Sequence, residues 1–83
     1  MHEFRSLIEI GNGHVYEFIF SQVHIEEEKC LVLVFGKNNE FYLFYMKLVG
    51  REWKFIERSK IPDFMFALEE KLSLIIIKHR NVT

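Results

Sequence analysis

Eighty-three residues, 49% of them hydrophobic, with a formal charge of -1, allow one hydrophobic core and no second. The near-neutral balance excludes a histone-like polycation. Cys30 is the single cysteine, which excludes an internal disulfide and a small secreted disulfide scaffold.

Five strand candidates come first. Phe4–Ile10 alternates Phe4, Ser6, Ile8 and Ile10 against Arg5, Leu7 and Glu9, the period-2 pattern of a strand. Gly11-Asn12-Gly13 supplies residues that tolerate a tight turn. Val15–Ile25 follows, with Tyr16, Phe18 and Phe20 on one face and Val15, Glu17, Ile19 and Ser21 on the other; Glu26-Glu27-Glu28 turns the chain. Cys30–Phe35 is continuous and β-branched, which reads as a strand covered on both sides, with Leu31–Phe35 as core. After Gly36-Lys37-Asn38-Asn39, Phe41–Val49 and Glu52–Ser59 form a hairpin about Gly50-Arg51. A two-residue turn there sets Val49 opposite Glu52, Lys47 opposite Lys54 and Tyr45 opposite Ile56. Leu43 and Arg58 share that face, and Phe41 joins it by alternation. The other face carries Phe44, Met46, Leu48, Trp53 and Phe55, with Trp53 expected at the contact between hairpin and helix. Short gaps between strands predict an antiparallel meander.

Pro62 marks a change of period. Ile61, Phe64/Met65, Leu68, Leu72, Ile75/Ile76 and His79 recur every three or four residues, one face of a helix of roughly four to five turns. Pro62 suits its first position and Asp63 its positive end. Ile75-Ile76-Ile77 disfavours helix, so residues 73–79 either continue it or form a sixth strand. The predicted fold is α+β: an antiparallel meander of four to five curled strands and one C-terminal amphipathic helix, in a single domain over residues 1–83.

Catalysis finds little support. His2, His14, His24 and His79 show no metal-ligand spacing, Cys30 sits in an apolar run that disfavours a thiolate, and no serine lies in a nucleophile motif. Three adjacent glutamates at 26–28 are a solvated turn before they are a cation site. The expectation is a protein that is not an enzyme and uses no metal or cofactor. No apolar run approaches the ~20 residues of a membrane span, and the opening MHEFRSLIEI lacks signal-peptide character, so no membrane association and a cytoplasmic location are expected. Nine Phe, three Tyr and one Trp exceed what a small interior holds, pointing to a homodimer. Residues 1–28 carry a local charge of -5 and residues 29–83 one of +4.

Binding is the favoured class. Lys47, Lys54, Arg58 and Lys60 would project from one face of the last hairpin, with Arg51 at its tip and Tyr45 among them. Rings that stack on bases beside cations that neutralise phosphates form the minimal kit for single-stranded nucleic acid. The stretch EFYLFYMKLVGREWKFIERSKIPDFMFALEEKL, residues 40–72, resembles PC4-like and PUR-alpha-like domains in the order of its elements: curled strands, then a strand leading into an amphipathic C-terminal helix. That resemblance implies single-stranded DNA or RNA on the outer sheet face, with Tyr45, Lys47, Lys54 and Arg58 as the corresponding residues, and dimerisation through helix and sheet edges. The overall acidity and the extra strand Phe4–Ile10 depart from the pattern. The alternative is a non-catalytic protein-interaction or assembly module that homo-oligomerises through apolar sheet and helix surfaces, including a second helical stripe through Phe66, Leu74 and Ile77.

Overall fold

The computed structural model describes residues 3–11, 13–24 and 28–81. Five strands, β1 (Phe4–Glu9), β2 (Val15–His24), β3 (Lys29–Phe35), β4 (Phe41–Val49) and β5 (Glu52–Phe55), form one antiparallel sheet in the order β1-β2-β3-β4-β5. A 3-10 turn (Arg58–Lys60) leads into two helical segments, α1 (Asp63–Phe66) and α2 (Glu69–Asn81). This is the α+β meander with an amphipathic C-terminal helix that the two periodicities predict. The acidic turn expected at 26–28 lies outside the described residues except for Glu28, as does Ile25 at the expected end of the second strand.

Alternation sorts the strands into two faces. The back face, under the helices, carries Ile8, Tyr16, Phe18, Phe20, Cys30, Val32, Val34, Phe44, Met46, Trp53 and Phe55, all buried. From the helical layer Ile61, Met65, Leu72 and Ile76 complete the same cluster. The hairpin register follows from its turn. Gly50 holds a positive φ of 67° and Arg51 does not, the pattern of a two-residue II′ turn, and it pairs Val49 with Glu52 and Lys47 with Lys54.

Three local expectations change. The fifth strand ends at Phe55, not Ser59, because Glu57 adopts a left-handed conformation (φ 57°, ψ 60°) that turns the chain off the sheet. Pro62 is extended (φ -61°, ψ 146°) and caps α1 from outside, with Asp63 in its first turn. The predicted single helix is interrupted at Ala67-Leu68, where the Leu68 amide reaches back three residues to the Met65 carbonyl at 2.9 Å. Residues 73–79 are helical. Ile76 is fully buried and Ile75 and Ile77 pack against the core; burying such a side chain is worth ~1.5–3 kcal/mol, well above the few tenths that β-branching costs.

The helix is fixed to the sheet at three places. The backbone amides of Trp53 and Phe55 point outward from β4, and α2 takes both: Trp53 donates to Ser73 Oγ at 2.8 Å and Phe55 to the Glu69 carboxylate at 2.8 Å. An edge strand whose amides are already satisfied offers little to a further strand. At the far end, the His79 ring stacks on Phe4 with centroids 3.9 Å apart, and Phe4 stacks on Phe20 at 4.7 Å.

Near the β3–β4 turn, Glu40 accepts hydrogen bonds from the hydroxyls of Tyr16 at 2.7 Å and Tyr42 at 2.9 Å. Phe64 of α1 packs edge-on against both rings. The hydrogen bonds from Tyr16 and then Tyr42 hold the Glu40 carboxyl below its usual range. The same bond to Glu40, followed by burial, pushes the Tyr16 phenol up to about 12. Gly36 is required beside this cluster, since a Cβ there would lie 2.5 Å from the Tyr16 ring.

Candidate interaction surface on the front of the sheet

The face turned away from the helices, the front, is ordered in cross-strand rows. Leu7, Glu17, Phe35 and Phe41 stand opposite one another across β1 to β4. The next row is Arg5, Ile19, Leu33 and Leu43, followed by Ser21, Leu31 and Tyr45. Lys29, Lys47 and Lys54 close the pattern as a row of three lysines across β3, β4 and β5. The centre is therefore apolar, with Glu9 and Glu17 at one corner and the lysines at the opposite one. Phe35 and Phe41 pack together at 5.2 Å and remain 41% and 51% exposed, and Leu43 is 53% exposed.

The structure divides the six residues expected to meet nucleic acid. Tyr45, Lys47 and Lys54 stand on the front as the alternation predicts, and Arg51 is exposed at the hairpin tip. Arg58 does not share that face. The turn at Glu57 carries it toward the helix side, where its guanidinium meets Glu69 at 2.8 Å and lies 4.8 Å from the centre of the Phe66 ring. Lys60 stands in the 3-10 turn, paired with Glu57 at 2.9 Å. Lys54 is paired with Glu52 at 2.7 Å, which raises its pKa and lowers that of Glu52. Of the cations among these six, Lys47 is the one that stands on the sheet front with no ion pair to a described residue.

The helical stripe also divides. Phe66 is half-buried against Phe55 and under Arg58, and Ile77 packs on the core. Only Leu74, 60% exposed, presents a large apolar area. Sequence reasoning sets Leu43 on the front beside Tyr45 and Lys47, reads Leu33 and Phe35 as core, and gives Leu7 no functional role. For Leu33 and Phe35 the signal is the continuous run Cys30–Phe35, which reads as covered on both sides. In the folded chain Cys30, Val32 and Val34 are fully buried, Leu31 and Leu33 are half-buried, and Phe35 is exposed. That strand is covered on its back only.

Clefts lined by described residues indent the surface. One of ≈ 130 Å³ lies beside the end of β5, lined by Leu43, Tyr45, Ile56, Glu57 and Lys60 among others. The second, ≈ 120 Å³, lies between Arg51, Trp53, Glu69, Ser73, Leu74 and Ile77. Both fall below the ~300–1,000 Å³ of ordinary ligand pockets. Among the described residues no three His, Cys, Asp or Glu side chains gather as a metal site, and no helix is long and apolar enough to cross a membrane.

No family model, curated protein or solved structure matches the chain, so the likeness to PC4-like and PUR-alpha-like domains rests on the order of elements alone.

Proposed function

We propose that this domain is a non-catalytic assembly module that self-associates through the front of its sheet. One observation carries the reading. Of the nine large hydrophobic residues left substantially exposed among the described residues, seven (Leu7, Val15, Phe35, Phe41, Leu43, Tyr45 and Val49) stand on the front, and only Phe64 and Leu74 stand elsewhere. Phe35, Phe41, Leu43 and Tyr45 are continuous through Leu31 and Leu33, and an apolar face of this kind on a small domain marks an interaction surface. The half-covered strand β3 agrees with it, since its sequence is that of a strand with neighbours on both sides. A buried, reduced Cys30 suits a cytoplasmic setting.

Sedimentation equilibrium of the wild type and of a Leu33→Glu, Leu43→Glu variant tests this. The expected result is a wild-type oligomer that persists at high salt and a folded, monomeric variant. A wild type that stays monomeric at high concentration would remove the reading.

A second reading is favoured by the row Lys29, Lys47 and Lys54 beside Tyr45, which offers cations and a ring to a single-stranded nucleic acid. It ranks second because Lys54, Arg58 and Lys60 already hold carboxylates. Fluorescence anisotropy with labelled single-stranded DNA and RNA separates the two. Nucleic-acid binding would weaken steeply with salt as counterions are released, and Lys47→Ala would reduce it.

A further inference from the structure

We infer that two copies of this chain meet front to front about a two-fold axis running diagonally between the sheets, so that each lysine row faces the partner's Glu9–Glu17 corner. This rests on the self-association reading and adds the partner's register to it. A pair of identical faces closes through a two-fold axis lying between them, and the direction of that axis decides which groups meet. An axis along the strands sets each row against the same row of the partner, lysines against lysines. An axis along the rows exchanges the two ends of the strands and lays the lysines over the β3–β4 turn, where Lys37 is exposed. Only a diagonal axis running between the other two corners exchanges the lysine corner with the Glu9–Glu17 corner. It carries Lys47 onto the partner's Glu9 and sets Lys29 over the partner's Leu7, ~6 Å from Glu9 and Glu17 alike.

The distances agree with this choice. With strands ~4.8 Å apart and a rise of ~3.4 Å per residue, Glu9 and Lys47 lie on opposite sides of Leu33, each roughly 15 Å away. A two-fold through Leu33 therefore superposes them. Leu33 meets its own copy on the axis, and Phe35 falls against the partner's Tyr45. Within each chain Glu17 meets Arg5 at 3.3 Å through Oε2, and Glu9 has no ion pair among the described residues. The diagonal axis lies ~60° from the strands, so the strands of the two sheets cross at roughly 60°, between the aligned and orthogonal modes of sheet packing. Five strands of about six residues span about 24 by 20 Å, on the order of 500 Å² in projection and more as accessible surface, close to the ~800 Å² per partner of a specific interface.

Reciprocal charge reversal tests the arrangement in the full chain. Lys29→Glu with Lys47→Glu, and separately Glu9→Lys with Glu17→Lys, change exposed or half-exposed side chains; thermal melting checks that both variants remain folded. By sedimentation equilibrium each variant alone should self-associate at least ~tenfold more weakly than wild type, because like charges then oppose one another. An equimolar mixture should restore wild-type affinity as a heterodimer. Variants that each dimerise like wild type, or a mixture that gains nothing, would overturn the diagonal register while leaving self-association standing. A monomeric wild type would overturn both.

Discussion

The two faces of one sheet are built by the same strands and the same alternation, yet they end differently. On the back, Phe18, Phe20, Val32, Val34 and Met46 are wholly removed from water. On the front, their sequence neighbours Phe35, Leu43 and Tyr45 keep 41%, 53% and 39% of their surface. The difference lies in where the helical layer after β5 docks. One short helical layer follows, and Ser73, Glu69 and His79 commit it to the back. Alternation assigns a side chain to a face; which face is covered depends on where the helices dock.

Substitutions sharpen the contrast. Trp53→Ala opens a cavity in the centre of the back and should cost about 3–5 kcal/mol, read as a large fall in the thermal midpoint. Gly36→Ala forces a methyl group against the Tyr16 ring and should cost about 1–3 kcal/mol by overpacking. Ser73→Ala removes the acceptor of the Trp53 amide and should cost about 1 kcal/mol in denaturant titration. Leu43→Glu, on the front, should change the stability of the isolated chain by no more than about 0.5 kcal/mol while weakening self-association. A front substitution as costly to folding as Trp53→Ala would erase the distinction between the faces.

The Tyr16–Glu40–Tyr42 cluster predicts a pH effect confined to the back. Because Glu40 titrates below its usual range in the folded chain, its stabilisation is present above the ordinary carboxyl pKa. It is lost as pH falls through the lowered folded value. Tyr16, raised from 10.0 to about 12, contributes below the ordinary phenol pKa, and that contribution is lost as pH rises through the folded value. Tyr16→Phe with Tyr42→Phe should return Glu40 toward its usual range and flatten both limbs of the melting-temperature profile. A profile unchanged at both ends would show that these hydrogen bonds do not set it.

Much of this was legible in the sequence. Gly50-Arg51 determined the last hairpin, because a two-residue turn leaves one register, and Lys47 opposite Lys54 follows from it. The change of period at Pro62 located the helical layer. Arg58 was misplaced because nothing marks Glu57 as a turn: a left-handed glutamate carries no glycine or asparagine signal. The break at Ala67-Leu68 was hidden because both residues are good helix formers. The apolar front was half legible. The run Cys30–Phe35 signals cover on both sides, but a sequence does not say whether the second cover belongs to the same chain.

Cysteine cross-linking tests that point most directly. Leu33→Cys places a thiol at the centre of the front, and Leu74→Cys places one on the exposed helix surface. With a short bis-maleimide that spans the ~10 Å between packed sheets, the account predicts a cross-linked dimer from Leu33→Cys and none from Leu74→Cys. Cross-linking through Leu74→Cys alone would contradict it and move the interface to the helix.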